Sequence, residues 1–277
     1  MEKKLRITIP VEIYQIIESD IEDFGITKNF LCNYIFENSE GFKQIYNYKY
    51  KNAKKIIQFN LNKKNRENYY SFLAEKNIEV EAEYFRNIFL YYAQKSKKSR
   101  EFFIFQHIIE KINDAIEGRK KIIITFTDER TKTISPYYIA SSELELKNYL
   151  FSYDDEEKKF KNFSIRNIKS VYVTNKKVYD EEMEFVNNVI ENFDPFLSYS
   201  KSVTVRFSDE GLEMLKTLKT YRPKVLEKNG NVYKFQCSPL LGKRYFSYFW
   251  NEAEILEPLE LRQWFKERSE KAAENYR

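Results

Sequence analysis

TISPYYI at 133–139, NYLFSYD at 148–154 and FSIRNIKSV at 163–171 are aromatic and β-branched runs inside a segment, 119–176, dense in residues that favour extended backbone. Strands are expected over 121–127, 131–139, 146–153, 160–164 and 168–174. Five short strands suit a small barrel. Asp154, Asp155, Glu156 and Glu157 fall between the third and fourth, where they read as a hairpin turn rather than as paired catalytic carboxylates.

Before this segment, 101–118 reads as one long connecting helix with Phe105, Ile108, Ile109, Ile112 and Ile116 on one face and Gly118 in a helix-stop position. The first hundred residues carry an internal repeat. Leu5-Arg6-Ile7-Thr8-Ile9 alternates with period 2, Pro10 sits where a helix begins, and Val11, Ile13, Ile16, Ile17 and Ile21 form a helical stripe. Phe24-Gly25-Ile26-Thr27 ends that helix and caps the next, which carries Phe30, Leu31, Tyr34 and Ile35. A second copy follows: Ile57-Gln58-Phe59-Asn60-Leu61 alternates in the same way, helices are expected at 63–76 and 80–94, and Phe30-Leu31-Cys32-Asn33 lines up with Tyr84-Phe85-Arg86-Asn87. Pairing the two strands would bury Leu5, Ile7, Ile9, Ile57, Phe59 and Leu61 and expose Lys4, Arg6, Thr8, Gln58 and Asn60, and it would leave no lone ribbon edge.

After the strand-rich segment, 179–193 is an amphipathic helix and Asp194-Pro195 a candidate linker. A strand at 202–207, a helix at 209–218, strands near 223–228 and 232–237, a segment at 240–250, a strand at 253–256 and a terminal helix from Pro258 then make an α/β unit.

A chain of 277 residues, 42% hydrophobic and 32% charged, fits two or three globular domains. Its mean hydropathy of -0.66 and the lack of a membrane-length apolar run predict a soluble protein with no membrane partner. MEKKLRITIPVEIYQ has no apolar signal-peptide core, and two distant cysteines, Cys32 and Cys237, frame no disulfide, so a cytoplasmic location is expected. With one histidine, His107, and six glycines there is no metal-ligand set, no Cys-His dyad and no phosphate-cradling loop; Leu241-Gly242-Lys243-Arg244 lacks the preceding glycine. His107 itself reads as a half-buried, hydrogen-bonded imidazole. No cofactor and no enzymatic activity are expected. A net charge of +5 is mild, so polyanion binding requires clustered bases.

In order and spacing, the three runs quoted first resemble the bacterial WYL domain, a bent Sm-type barrel named for a Trp-Tyr-Leu triplet that here reads Asn148-Tyr149-Leu150. The repeated strand-helix-helix unit resembles a ribbon-helix-helix fold. Glu254-Ile255-Leu256-Glu257-Pro258-Leu259-Glu260-Leu261-Arg262 followed by a helix, with an Asn229-Gly230 turn earlier, resembles the extension that follows WYL domains. The fold class is therefore α+β: a tandem ribbon-helix-helix-like region at 1–100, a connecting helix at 101–118, a WYL-like barrel at 119–176, a helical linker at 177–200 and the extension at 201–277.

The resemblance implies a polar, positively charged groove for nucleotides or single-stranded nucleic acid. By position in the pattern, Tyr137 and Tyr138 follow the proline of the second strand, Tyr149 is central in the triplet and Arg166 lies in the usual basic segment. Arg130, Lys132 and Lys161 join them as binding candidates, with an ordinary solvated strand surface as the alternative, and Tyr149 and Leu150 equally suit barrel core. Two departures matter. The family tryptophan is Asn148, and the usual Asp-Arg-Ile ending reads Arg166-Asn167-Ile168, a one-residue shift that in a strand would turn the base to the other face. Arg119-Lys120-Lys121 abuts the barrel as a further cationic cluster, with the basic runs at 46–55 and 95–100 as weaker ones.

In the ribbon, Arg6 and Thr8 with Lys4 suit base edges in a major groove, and Thr27 and Lys28 open a helix whose N-terminus attracts phosphate. The second copy instead has Glu79, Glu81 and Glu83, which would repel a phosphate, so the ribbon also reads as an assembly element. The combined architecture resembles the WYL-domain accessory proteins of subtype VI-D, RNA-targeting CRISPR effectors. That implies a non-enzymatic homodimer that binds single-stranded RNA and modulates an effector nuclease. The alternatives are a DNA-binding transcriptional regulator whose WYL domain senses a nucleotide or nucleic acid, and an assembly scaffold.

Overall fold

The structure, a computed structural model, describes residues 3–42, 54–143 and 145–276. Most of the basic run at 46–55 thus lies outside the described residues, which include only its Lys54 and Lys55. Two compact units are formed, one from residues 1–134, 146–148 and 164–177, the other from 135–145, 149–163 and 178–277. Within the described residues the fold is mixed α and β, with ten α-helices and three sheets.

The first unit begins with two strand-helix-helix copies: β1 (Lys4–Pro10), α1 (Val11–Phe24) and α2 (Lys28–Glu37), then β2 (Lys54–Asn60), α3 (Lys63–Glu75) and α4 (Glu81–Gln94). β1 and β2 pair antiparallel within the chain, with Arg6 opposite Gln58 and Thr8 opposite Ile56. Alternation dictates which face is dry: Leu5, Ile7, Ile9, Ile57 and Phe59 are buried, and Phe59 meets the rings of Phe85 and Phe89 on α4 at 5.9 and 6.1 Å. Each such side chain contributes about 1.5–3 kcal/mol when fully buried. α1 stops because Gly25 adopts a left-handed conformation, φ 63°, that a side chain would penalise. Thr27 then caps α2 by accepting the Phe30 N–H at 3.1 Å.

The expected single helix at 101–118 is two, α5 (Lys97–Ile104) and α6 (Gln106–Glu117), because Phe105 leaves helical geometry at φ -99°, ψ 16°. Next come β3 (Lys120–Phe126), β4 (Thr131–Ser142), β5 (Lys147–Asp154), β6 (Lys159–Ser164) and, after a 3-10 turn at Ile165–Asn167, β7 (Ile168–Lys177). They hydrogen-bond in the order β6-β5-β4-β3-β7. Among the described residues no pairing joins β6 to β7, so the expected closed barrel is an open five-stranded sheet. The four acids form a turn as expected, with the buried Asp154 carboxylate accepting the backbone N–H groups of Glu156 and Glu157 at 3.0 and 3.1 Å.

In the second unit α7 (Met183–Glu191) sets Val186 and Val189 against Tyr137, Phe151 and Tyr153. It is shorter than the helix expected at 179–193. β8 (Ser202–Phe207), α8 (Asp209–Thr217), β9 (Lys224–Asn229), β10 (Val232–Gln236), α9 (Pro239–Phe246), β11 (Ala253–Glu257) and α10 (Leu259–Glu274) complete it. Its sheet runs β11-β8-β10-β9 over a core that includes Val203, Val205, Phe207, Phe235, Phe246 and Phe249. Gly211 on α8 is required sterically, since an added Cβ would lie 2.3 Å from the Glu252 carbonyl oxygen.

Candidate nucleic-acid interface

Three groups of residues proposed from sequence occupy different settings. On the ribbon, Lys4, Arg6 and Thr8 are exposed along one face of β1, beside Gln58 and Ile56 of β2. Thr8, Pro10 and Lys54 line a shallow pocket with Arg86 of α4. Thr27 is occupied as a helix cap, and Lys28 pairs with Glu18 at 2.8 Å while lying over the Tyr14 ring.

The WYL-like residues are largely engaged inside the protein. Arg166 lies on the 3-10 turn rather than in a strand, so the parity argument from the one-residue shift does not apply to it. Its side chain is 9% exposed, its Nε donates to Glu101, and its guanidinium lies 5.2 Å from the Phe24 ring centroid. Asn148 addresses the same carboxylate, donating its backbone N–H at 2.6 Å and its amide at 2.7 Å, with a further amide bond to the Lys98 carbonyl at 2.9 Å. The two departures from the family pattern thus have one physical explanation. Glu101, fully buried on α5, collects both side chains and keys the helix to the start of β5 and to the turn.

Tyr137 is buried, and its hydroxyl donates to the Tyr179 carbonyl oxygen; burial pushes its pKa above the ordinary tyrosine value. Tyr149 is also buried and donates to Glu145. Tyr138, 38% exposed, presents more ring to solvent. Lys161 sits between Asp154, at 3.4 Å, and Glu157. Arg130 is exposed and pairs with Asp128 at 2.7 Å, and Lys132 is half-buried opposite Ile124.

The remaining two residues, Arg119 and Lys121, lie at one end of the β3-β7 ladder. There Lys120 pairs in register with Lys177, Arg119 precedes and Lys176 adjoins, so five cations collect at this end. Arg119, Lys120, Lys176 and Lys177 make no ion pair with the described residues. The ladder turns Ile122, Ile124 and Val171 inward, where α6 packs against both strands. On its other face Thr133, Ile123 and Tyr172 form one cross-strand row, and Thr131, Thr125 and Ser170 the next, with Tyr172, Thr131 and Ser170 exposed and the other three half-buried. Tyr172 is 66% exposed. Sequence reasoning passed over Tyr172 and Lys176-Lys177, although period 2 places Tyr172 outward directly after the inward Val171.

Both cysteines are buried, and desolvation pushes each thiol up to about 12. Native protein is expected to leave both unreacted with a thiol-exchange reagent at mildly alkaline pH, with both reacting after denaturation. Reaction at the native-state rate of a free thiol would show that one of these sites opens. His107, expected to be half-buried, is exposed on α6. Among the described residues no three metal-ligating side chains cluster, and no helix is long and apolar enough to cross a membrane.

No family model and no curated protein matches the chain. Among solved structures, one described as the crystal structure of a CRISPR Cas-related protein superposes with a TM-score of 0.71 at 17% identity, covering 100% of this chain and 94% of that one. The two share a fold over essentially their full lengths. The proteasome accessory factor B/C (PafBC) of Arthrobacter aurescens aligns over 72% of this chain and 33% of its own at 16% identity, with a TM-score of 0.32.

Proposed function

We propose that this protein is a non-enzymatic nucleic-acid-binding regulator that takes single-stranded RNA and acts as an accessory to an RNA-targeting CRISPR effector. The observation that carries the binding is the end of the β3-β7 ladder, where Arg119, Lys120, Lys176 and Lys177 lie beside Lys121 and pair with no acid among the described residues. Phosphates displace counterions from such a cluster, which supplies a salt-dependent, sequence-independent attraction. The fold shared with a CRISPR Cas-related protein agrees with the pathway, and the effector partner and homodimeric state are what the resemblance to WYL accessory proteins implies.

The test is a titration of unstructured single-stranded RNA, matching DNA and a duplex from the gene's own upstream region, each at two salt concentrations. Single-stranded RNA is expected to bind most tightly, and Lys120→Glu with Lys177→Glu is expected to weaken its binding strongly. Removal of two phosphate contacts lowers the slope of log affinity against log salt by about 1.4. Unchanged binding by this variant would overturn the placement.

A second reading, a duplex-binding regulator, is favoured by the ribbon, whose exposed face aligns Arg6 with Gln58 and ends near Lys54 and Arg86. Preference for the upstream duplex, lost on Arg6→Ala, would decide for it.

A further inference from the structure

We propose that the outward face of the β3-β7 ladder is a base-stacking site, with Tyr172 as the platform for a nucleobase of a single strand whose phosphates lie on the cationic end. The inference rests on the nucleic-acid-binding reading above and gives it a specific contact.

Tyr172 is unusual among the described tyrosines of this unit. Tyr69 donates to Glu81, Tyr92 to Asp20, and Tyr84 shares a hydrogen bond with Ser39, each ring also packed against other rings. Tyr172 has neither a hydroxyl partner nor a ring partner among the described residues, and about two-thirds of it is in solvent. Strand packing does not require it there, since Val171 supplies the inward contact. Its cross-strand neighbour is Ile123, with Thr133 beyond, so the row is low and apolar. A ring projecting over small and aliphatic neighbours offers the flat surface on which a base stacks.

The surroundings complete the ligand class. Thr125, Thr131 and Ser170 set hydroxyls one row away, able to donate to or accept from base edges or a ribose 2′-hydroxyl. In the other direction β7 runs past a register irregularity to Lys176 and Lys177 at its end, with Lys176 an even number of residues from Tyr172. An aromatic platform followed by cations along one strand matches the alternation of base and phosphate in a flexible chain. A duplex hides its base faces in the helical stack and cannot use the ring.

The experiment measures binding of labelled oligoadenylate RNA, the matching DNA and an abasic ribose-phosphate chain of equal length to full-length wild type, Tyr172→Ala, Tyr172→Phe and the Lys120→Glu/Lys177→Glu variant. Circular dichroism confirms that each variant folds, which the exposure of Tyr172 favours. Stacking on one base predicts a loss of about 5- to 150-fold for oligoadenylate with Tyr172→Ala, an unchanged salt slope, near wild-type binding by Tyr172→Phe, and no effect on the abasic chain. RNA binding tighter than DNA would add the 2′-hydroxyl contact to the site. If wild type binds and the charge-reversed variant binds far more weakly, but Tyr172→Ala binds as well as wild type, the stacking site is overturned and the electrostatic reading stands. Absence of binding by wild type to every strand would overturn both.

Discussion

Replacing Arg100 with alanine is expected to cost about 3–5 kcal/mol of folding stability, because it leaves the Asp20 carboxylate buried without its counter-charge. Asp20 is fully buried on α1, and Arg100 on α5 reaches it with Nε at 2.6 Å and Nη2 at 3.0 Å. This is the two-point fork that makes guanidinium pairs strong. Tyr92 of α4 donates its hydroxyl to the same carboxylate at 2.7 Å, and Arg100 Nη1 reaches the Lys95 carbonyl at 2.6 Å. α1 is thereby held to α4 and α5, through residues 72 and 80 positions further along the chain, by one polar cluster. Urea denaturation read by circular dichroism checks the prediction as a lower midpoint at unchanged slope. Arg130→Ala is the control: its pair with Asp128 is solvent-exposed, and its loss should barely move the midpoint. An equally small shift at Arg100 would refute the account.

The second large effect is expected at Glu101. Glu101→Ala removes the common acceptor of the Asn148 N–H, the Asn148 amide and Arg166, and should cost about 3–5 kcal/mol. Arg166→Ala should be comparably damaging, since it strands a buried carboxylate. The double variant should cost less than the sum of the two, with a coupling of about 1–3 kcal/mol in a double-mutant cycle. This separates two views of Arg166. If it contacts ligand directly, Arg166→Ala lowers affinity in fully folded protein; if it holds Glu101, affinity falls only as the folded fraction falls. Additive costs from Glu101 and Arg166 would rule out the latch.

Much of the chain's local structure was legible from pattern. Strict alternation in 5–9 and 57–61 told which ribbon residues face water, because strand side chains alternate whatever they pack against. Gly25 and Thr27 announced a helix end and a helix start through backbone chemistry that acts within three residues. The β-rich segment yielded its five strands for the same reason.

The candidate site was less legible. Arg119 and Lys121 were found as a charge run, whereas Lys176 and Lys177 join them only through the antiparallel register of β3 and β7. The family pattern drew attention to Tyr137, Tyr149 and Arg166, which the packed structure commits to internal hydrogen bonds.

What the amino-acid order determined by itself was everything that depends on near neighbours: the repeat of strand, helix and helix, the alternating ribbon, the turn of four acids and the caps. Tertiary structure alone decided which polar groups are partners. Asp20 and Arg100 are 80 residues apart and Glu101 and Arg166 65, separations across which no periodicity carries information. It likewise decided that Phe105 breaks a helix and that the five strands form an open sheet. The physical reason is the same in each case: burial and desolvation are set by what the rest of the chain brings alongside a residue, and they outweigh its local preferences.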